Sequence, residues 1–250
     1  KKLSLSDYLR EEGVDENLVR VVMAAADASS NVANDLRNLS LLADGIAEEG
    51  PGDVNVQGEE QKSMDVRANA IFVQKLKPVV ATMVSEEVEA IMVGDATTGE
   101  AQYEIAFDPL DGSSNLDVAA PTGSIFGVYR RDDDAVNFSP FESYPRRSMV
   151  AAGYALYSSS TELILAGLGE NVVGFTLDSD DTFRRSRPVV VCPERGPYYS
   201  LNEAREPDWP DGLRMWIDDA KRGRTSSGTE YSARYVCSLA ADFHRTLLKG

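Results

Sequence analysis

The stretch Ala106-Phe107-Asp108-Pro109-Leu110-Asp111-Gly112-Ser113-Ser114-Asn115-Leu116-Asp117, AFDPLDGSSNLD, follows an alternating run in which Tyr103, Ile105 and Phe107 recur with the period of a strand. A turn needs Gly, Asp and Ser. It does not need an apolar strand that delivers two carboxylates three residues apart. If Asp108 and Asp111 flank a tight Pro109-Leu110 turn, both carboxylates and the Leu110 carbonyl face one cation. Gly112 permits close backbone approach, and the amides of Gly112, Ser113 and Ser114 can form an anion nest. Cations on one side and amide donors on the other would clamp a phosphate. Taken alone, Asp-x-x-Asp-Gly also describes a β-turn with solvated acids, so the rest of the chain has to decide.

Two further sets of acids bear on that choice: Glu59 and Glu60 with Asp65, and Glu86 with Glu87 at the end of the apolar run VVATMVSEE. In open α/β sheets ligands collect beyond the carboxyl ends of strands, so acids that end two strands can converge there. Two carboxylates about 4 Å apart repel by roughly 4 kcal/mol at an effective dielectric near 20. Convergence therefore requires a cation, or acids that stay protonated. All-oxygen donors without His or Cys point to Mg²⁺ or Mn²⁺ rather than Zn²⁺.

Outward from these motifs, Leu18, Val21, Val22, Ala25, Val32, Leu36 and Leu39 predict a helix over 15–43 with Asp15 and Glu16 in a favourable acidic first turn. EEGPGDVNVQGEEQKS reads as a loop. Val66, Asn69, Phe72, Val73 and Leu76 predict a second helix from Asp65 to Lys77, stopped by Pro78. GSIFGVYRR, SMVAAGYALY and NVVGFTLD read as strands, STELILAGLGE as a helix between the last two, and RRDDDAVNFSPFESYPRR as a polar connection. Later, YYSLNEA suggests a strand, DGLRMWIDDAKRG a helix, and YVCSLAADFHRTLLKG a helix reaching the last residue. Strands and helices interleave, which predicts a layered α/β fold. We expect a first unit over 1–197 and the beginning of a second over 198–250.

The bulk numbers narrow the partners. Forty-one acidic against 25 basic residues give a net charge of −16, which repels nucleic-acid backbones and anionic membranes. With no long apolar run, the chain reads as soluble. Cys192 and Cys237 offer no disulfide framework and no Cys-x-x-Cys site, which favours a reducing compartment.

At these residues the chain resembles the class I fructose-1,6-bisphosphatase family, among the Mg²⁺-dependent, lithium-sensitive phosphatases that include inositol monophosphatases. FDPLDGSSN is similar to the family signature, and GEEQKSMDV, VSEE, TGSIFGVYR, VAAGYALYSSST, YSLNE and SARYVCSLAADFHRTLL resemble it in the same order. The YSSS and DFHRTLL wording is similar to plant and algal forms, so a cytoplasmic or plastid location is expected. The resemblance implies an α/β/α/β/α layering. It implies hydrolysis of the 1-phosphate of fructose 1,6-bisphosphate, with a sedoheptulose-1,7-bisphosphatase or a non-catalytic assembly subunit as alternatives.

Residue by residue, the resemblance implies metal ligation by Glu86, Glu87, Asp108, the Leu110 carbonyl and Asp111, helped by Glu59, which stands where animal forms have Asp. Asp65 and Glu87 match the pair that activates the attacking water, and Asp111, Gly112, Ser113 and Ser114 match the hold on the departing phosphate. Asn202, Arg234 and Tyr235 match the grip on the second phosphate, and Ser238 and Leu239 the wall near the sugar. In the family that Arg reaches in from a neighbouring subunit, which implies a dimer or tetramer. Arg205 replaces a Tyr expected near the same phosphate, and His244, the only histidine, reads as a helix or interface residue.

Gln102-Tyr103 stands where AMP-inhibited animal forms have Lys-Tyr, and their Thr-rich turn is missing around Val14 to Leu18, so weak or no AMP inhibition is expected. The loop from Arg130 to Arg147 holds no Cys, so thioredoxin-type redox control is not expected. Family members continue for roughly another 100 residues, with a Tyr, a Lys and a metal-binding Glu for the site. The resemblance thus leads us to expect an omitted tail.

Overall fold

The computed structural model describes residues 2–39, 63–96, 102–131 and 149–250. Helix α1, Leu5–Glu11, starts at Ser4, whose hydroxyl accepts the Asp7 N–H. Helix α2, Glu16–Arg37, starts at Asp15, which accepts the Leu18 N–H at 3.1 Å. Its buried face carries Leu18, Val21, Val22, Ala25 and Val32 as the spacing predicts, and it ends at Arg37; positions 40–43 of the expected helix lie outside the described residues. Helix α3, Ser63–Leu76, agrees with the expectation within two residues, but its inner face differs. Met64, Asp65, Ala68, Phe72 and Leu76 are buried, whereas Val66 is 52% exposed.

The helices lie against an eight-stranded sheet of order β2-β1-β3-β4-β5-β6-β7-β8. Its strands are β1 Thr82–Ser85, β2 Val88–Val93, β3 Tyr103–Asp111, β4 Thr122–Arg130, β5 Met149–Tyr157, β6 Thr161–Ala166, β7 Val172–Leu177 and β8 Phe183–Val190. Only the β1–β3 pair is parallel; the other neighbours run antiparallel. Strands β2 and β8 were not anticipated, and β6 corrects the helix expected over STELILAGLGE. Six residues flanked by β5 and β7 are buried along almost their whole length, and such a short apolar run has no periodicity to separate strand from helix. Gly167 ends it at φ +85°, where an added Cβ would stand 2.5 Å from the Val150 carbonyl oxygen.

After the sheet the chain forms β9 Tyr198–Tyr199, helix α4 Asp211–Lys221, β10 Ser232–Ala233 and helix α5 Leu239–Lys249. The strand expected over YYSLNEA is only its first two residues, because Asn202 accepts the Ala204 N–H and starts the 3-10 helix Glu203–Asp208. The last helix begins at Leu239, capped by Ser238, and not at Tyr235: Cys237 takes φ +63°, outside helical geometry.

The two sheet faces differ. Helices α1, α2 and α3 cover one face with the main core, including Tyr8, Phe72, Tyr103, Ile105, Phe107, Leu110 and Phe175. On the other face α5 packs Ala240 against Tyr154, Leu156, Ile164 and Val190. Beside α5 runs a groove of about 910 Å³, mostly apolar and lined by Ile125, Tyr154, Leu239 and Phe243, with Glu86 and Asp108 also on its wall. No helix among the described residues is long and apolar enough to cross a membrane.

Candidate active site

The parallel pair decides where the acids meet. Parallel strands end at the same edge, and the register Ser85↔Phe107 makes Glu86 the neighbour of Asp108. The Glu86 N–H donates to the Phe107 carbonyl at 3.0 Å and locks that register. The rule about carboxyl ends of strands thus applies here through this single pair, inside a mainly antiparallel sheet.

Spacing alone would part Asp108 from Asp111, since residues three apart on a regular strand point to opposite faces. Against β4, however, Asp108 pairs with Ile125 and Asp111 with Gly123, so three steps on β3 answer two on β4. The extra residue is a β-bulge. Phe107 and Leu110 enter the helix-covered core, while Asp108 lines the groove by Ala240 and Asp111 bonds the N-terminus of α5, on the opposite face. Pro109-Leu110 is therefore a bulge within a continuous strand rather than the expected turn. A bulge also tolerates the proline, which has no N–H for the ladder.

Asp65 reaches the same end of the sheet from the first turn of α3. Phe72 stacks on Phe107 at 5.3 Å and 17°, and Asn69 Oδ1 accepts the Ser85 hydroxyl at 2.8 Å. Positions 65, 69 and 72 share one helix face, so these contacts seat Asp65, only 3% exposed, beside the strand ends. Ser85 Oγ also accepts the Glu87 N–H at 3.2 Å, fixing the Glu86-Glu87 turn between β1 and β2. Glu59 and Glu60 lie outside the described residues.

The electrostatics register the crowding. Burial, then the carboxylates of Asp111 and Glu86, push Asp108 from 3.8 up to about 7; the Leu110 N–H at 3.0 Å pulls it down, and Asp65 adds a smaller push. Asp111 turns both oxygens toward α5: Oδ2 accepts from Ser238 Oγ at 2.6 Å and Ala240 N at 2.8 Å, and Oδ1 from Leu239 N at 3.1 Å. An anion at a helix N-terminus is favourable. Among the described residues no three Asp, Glu, His or Cys side chains already close around a single ion position. Asp108 lies close enough to Asp111, Glu86 and Asp65 to feel their charge, and a carboxylate accepts at about four positions.

Beyond Asp111, Gly112 takes φ +77° and lies so near Ser238 that a Cβ would sit 2.7 Å from the Ser238 Cβ. Ser113 and Ser114 open the 3-10 helix Ser113–Val118 and so carry first-turn amides that lack a partner within it. Asn115, buried, donates to the carbonyls of Pro121 and Val236 at 2.9 Å each, which staples this loop to the segment before α5.

That segment carries a second cluster. Tyr235 lies near Cys237, the largest influence raising its pKa, and near Asn202. Arg234 is exposed, its guanidinium 5.1 Å from the centre of the Tyr198 ring, and its backbone N–H donates to the Tyr199 carbonyl. Asn202 and Tyr235 are thus adjacent, with Arg234 next to them, whereas Arg205 pairs outward with Asp208 at 3.7 Å. His244 stays on α5, its Nδ1 2.9 Å from the Tyr154 hydroxyl, and burial lowers its pKa.

Far from both clusters, the N-terminus of α2 already meets an anion. Asp15 Oδ1 accepts the Leu18 N–H and the Tyr103 hydroxyl, each at 3.1 Å. The site residues that sequence reasoning missed, Ser85, Asn69 and Asn115, are polar groups that place others through hydrogen bonds to distant segments.

The family models described as "Fructose-1-6-bisphosphatase, N-terminal domain" and "Fructose-1-6-bisphosphatase, C-terminal domain" match residues 4–185 and 192–250. The chain is 44% identical over 204 residues to the class 1 fructose-1,6-bisphosphatase of Sorangium cellulosum, covering 80% of this chain and 58% of that protein. It is 40% identical over 215 residues to the chloroplastic fructose-1,6-bisphosphatase of Brassica napus, covering 80% and 52%. The chain therefore spans just over half the length of the curated relatives it matches. The crystal structure of Leishmania major fructose-1,6-bisphosphatase in holo form superposes with a TM-score of 0.87 at 33% identity, covering 100% of this chain and 77% of that one.

Proposed function

Because the chain belongs to the fructose-1,6-bisphosphatase family, we propose that it is a divalent-cation-dependent phosphatase that removes the 1-phosphate of D-fructose 1,6-bisphosphate. The observation that carries this reading is the junction of β1 and β3, where a parallel register and a bulge gather Glu86, Asp108 and Asp111 beside the amides of a Gly-Ser-Ser loop.

The donor set fits a hard cation. It offers carboxylates and a backbone carbonyl without sulfur or imidazole, and Asp108 is raised to about 7 by burial and then by like charges that a cation would relieve. Glu86, Glu87, Asp108, the Leu110 carbonyl and Asp111 would hold Mg²⁺ or Mn²⁺, helped by Glu59. Bound there, such an ion neutralises phosphoryl oxygens and lowers the pKa of a bound water. Asp65 and Glu87 orient the attacking water and take its proton. The amides of Gly112, Ser113 and Ser114 hold the oxygens of the departing phosphate, a task of positioning rather than covalent chemistry.

Asn202, Arg234 and Tyr235 grip the second phosphate, while Ser238 and Leu239 wall the sugar. The exposure of Arg234 suits a side chain that completes the site of a second copy, in a dimer or tetramer. In this reading the part over 1–197 supplies the metal site and the part from 198 onward the sugar-phosphate site.

Phosphate release in Mg²⁺ from fructose 1,6-bisphosphate and from sedoheptulose 1,7-bisphosphate tests the reading. Release from the first sugar is expected. Preference for the second would move the assignment to the sedoheptulose enzyme, and no release at saturating Mg²⁺ would leave a non-catalytic subunit.

A further inference from the structure

Three buried hydroxyls lie beneath the β3 bulge, on the helix-covered side. Ser124 of β4 stands opposite Pro109-Leu110, between the pairs Asp108↔Ile125 and Asp111↔Gly123, and is fully buried. Its Oγ donates to the Pro109 carbonyl at 2.7 Å and lies 2.6 Å from the Tyr157 hydroxyl of β5. Ser29 on α2 lies near Tyr157 and spends its own proton on the Ala25 carbonyl at 2.9 Å.

Proton counting gives this row a direction. The Pro109 carbonyl only accepts, so Ser124 spends its proton on Pro109, which leaves Tyr157 to donate to Ser124. Burial keeps the Tyr157 phenol protonated well above the usual tyrosine range, so it remains a donor.

We propose that Ser124 and Tyr157 are positioning residues that act through the Pro109 carbonyl to hold the bulge at the width at which Asp108, the Leu110 carbonyl and Asp111 meet one divalent cation. This rests on the cation reading of the site given above. The bulge is where Asp108 and Asp111 come to a common face, and the backbone carbonyl inside it, that of Pro109, accepts from Ser124 on the opposite strand. Tyr157 orients Ser124. Groups that orient ligands without touching the ion commonly shift affinity by about 10–100-fold.

The test is Mn²⁺ binding followed by electron paramagnetic resonance, without substrate or turnover, on the unchanged chain and on Ser124→Ala, Tyr157→Phe and Ser124→Thr. Ser124→Ala should weaken binding about tenfold and Tyr157→Phe by roughly threefold, while Ser124→Thr, which keeps the hydroxyl, should stay near the unchanged chain. Circular dichroism reports whether each variant is folded. If Ser124→Ala does not fold, Tyr157→Phe against the unchanged chain decides. Unchanged Mn²⁺ affinity in folded Ser124→Ala or Tyr157→Phe would overturn the positioning role and leave the site intact. Failure of the unchanged chain to bind Mn²⁺ would instead overturn the site itself, and this role with it.

Discussion

Replacing Asp108 with Asn should make the cation-free chain more stable, although it removes a central residue of the proposed site. In the fold, burial and the carboxylates of Asp111, Glu86 and Asp65 raise Asp108 from 3.8 to about 7. An acid whose folded pKa exceeds its unfolded pKa costs the fold almost nothing where both states are protonated. The cost grows as pH rises from the unfolded value to the folded one and is complete above it. About three pKa units correspond to about 4 kcal/mol at pH 8, falling to roughly 0.5 kcal/mol at pH 4. Asn keeps an oxygen for the Leu110 N–H at 3.0 Å but buries an NH₂ group that needs a partner, which takes back about 1–2 kcal/mol. The net expectation is a gain of about 2–3 kcal/mol at pH 8 and a small loss at pH 4. Urea unfolding in chelator, followed by far-ultraviolet circular dichroism at both pH values, measures it. Added Mg²⁺ should then raise the midpoint of the unchanged chain far more than that of the variant. Equal stability at pH 8, or an advantage as large at pH 4 as at pH 8, would refute the argument that burial and neighbouring carboxylates raise this carboxyl group.

Three further outcomes follow from the same geometry. Glu87→Gln should abolish phosphate release while leaving the unfolding midpoint within about 0.5 kcal/mol of the unchanged chain; near-normal turnover would place the base elsewhere. Gly112→Ala should cost about 1–3 kcal/mol, because φ +77° disfavours a side chain and the new Cβ would meet Ser238, and denaturant titration would reveal a smaller effect if the loop can move aside. AMP should not inhibit in the micromolar range, since Asp15 already presents a carboxylate to the α2 amides and to Tyr103; a nucleotide titration with micromolar inhibition would refute this.

The sequence made much of this legible, and the failures share a physical cause. Helix α2 was readable because 22 residues hold a single apolar face and Asp15 caps it. Strand β3 was readable from strict alternation, and the acids at its end were readable because carboxylates rarely end an apolar run without a partner. Strand β6 was not, since six residues of which five are buried show neither period. The bulge was also hidden: Pro and Asp signal turns and bulges alike, and only the odd spacing of Asp108 and Asp111 hints at an extra residue. Least legible were the long-range bonds. Asp111 meets Ala240 across 129 positions, and Asn115 meets Val236 across 121, so no local window contains both partners.

The most direct test of the account is an anomalous difference map from a crystal soaked in Mn²⁺. It should place density among the side chains of Glu86, Asp108 and Asp111 and the Leu110 carbonyl, with the Asp111 carboxylate shared between the ion and the α5 amides. A map with no peak at that junction at saturating Mn²⁺, or with its peaks elsewhere on this acidic surface, would contradict the claim that the strand ends form a cation site.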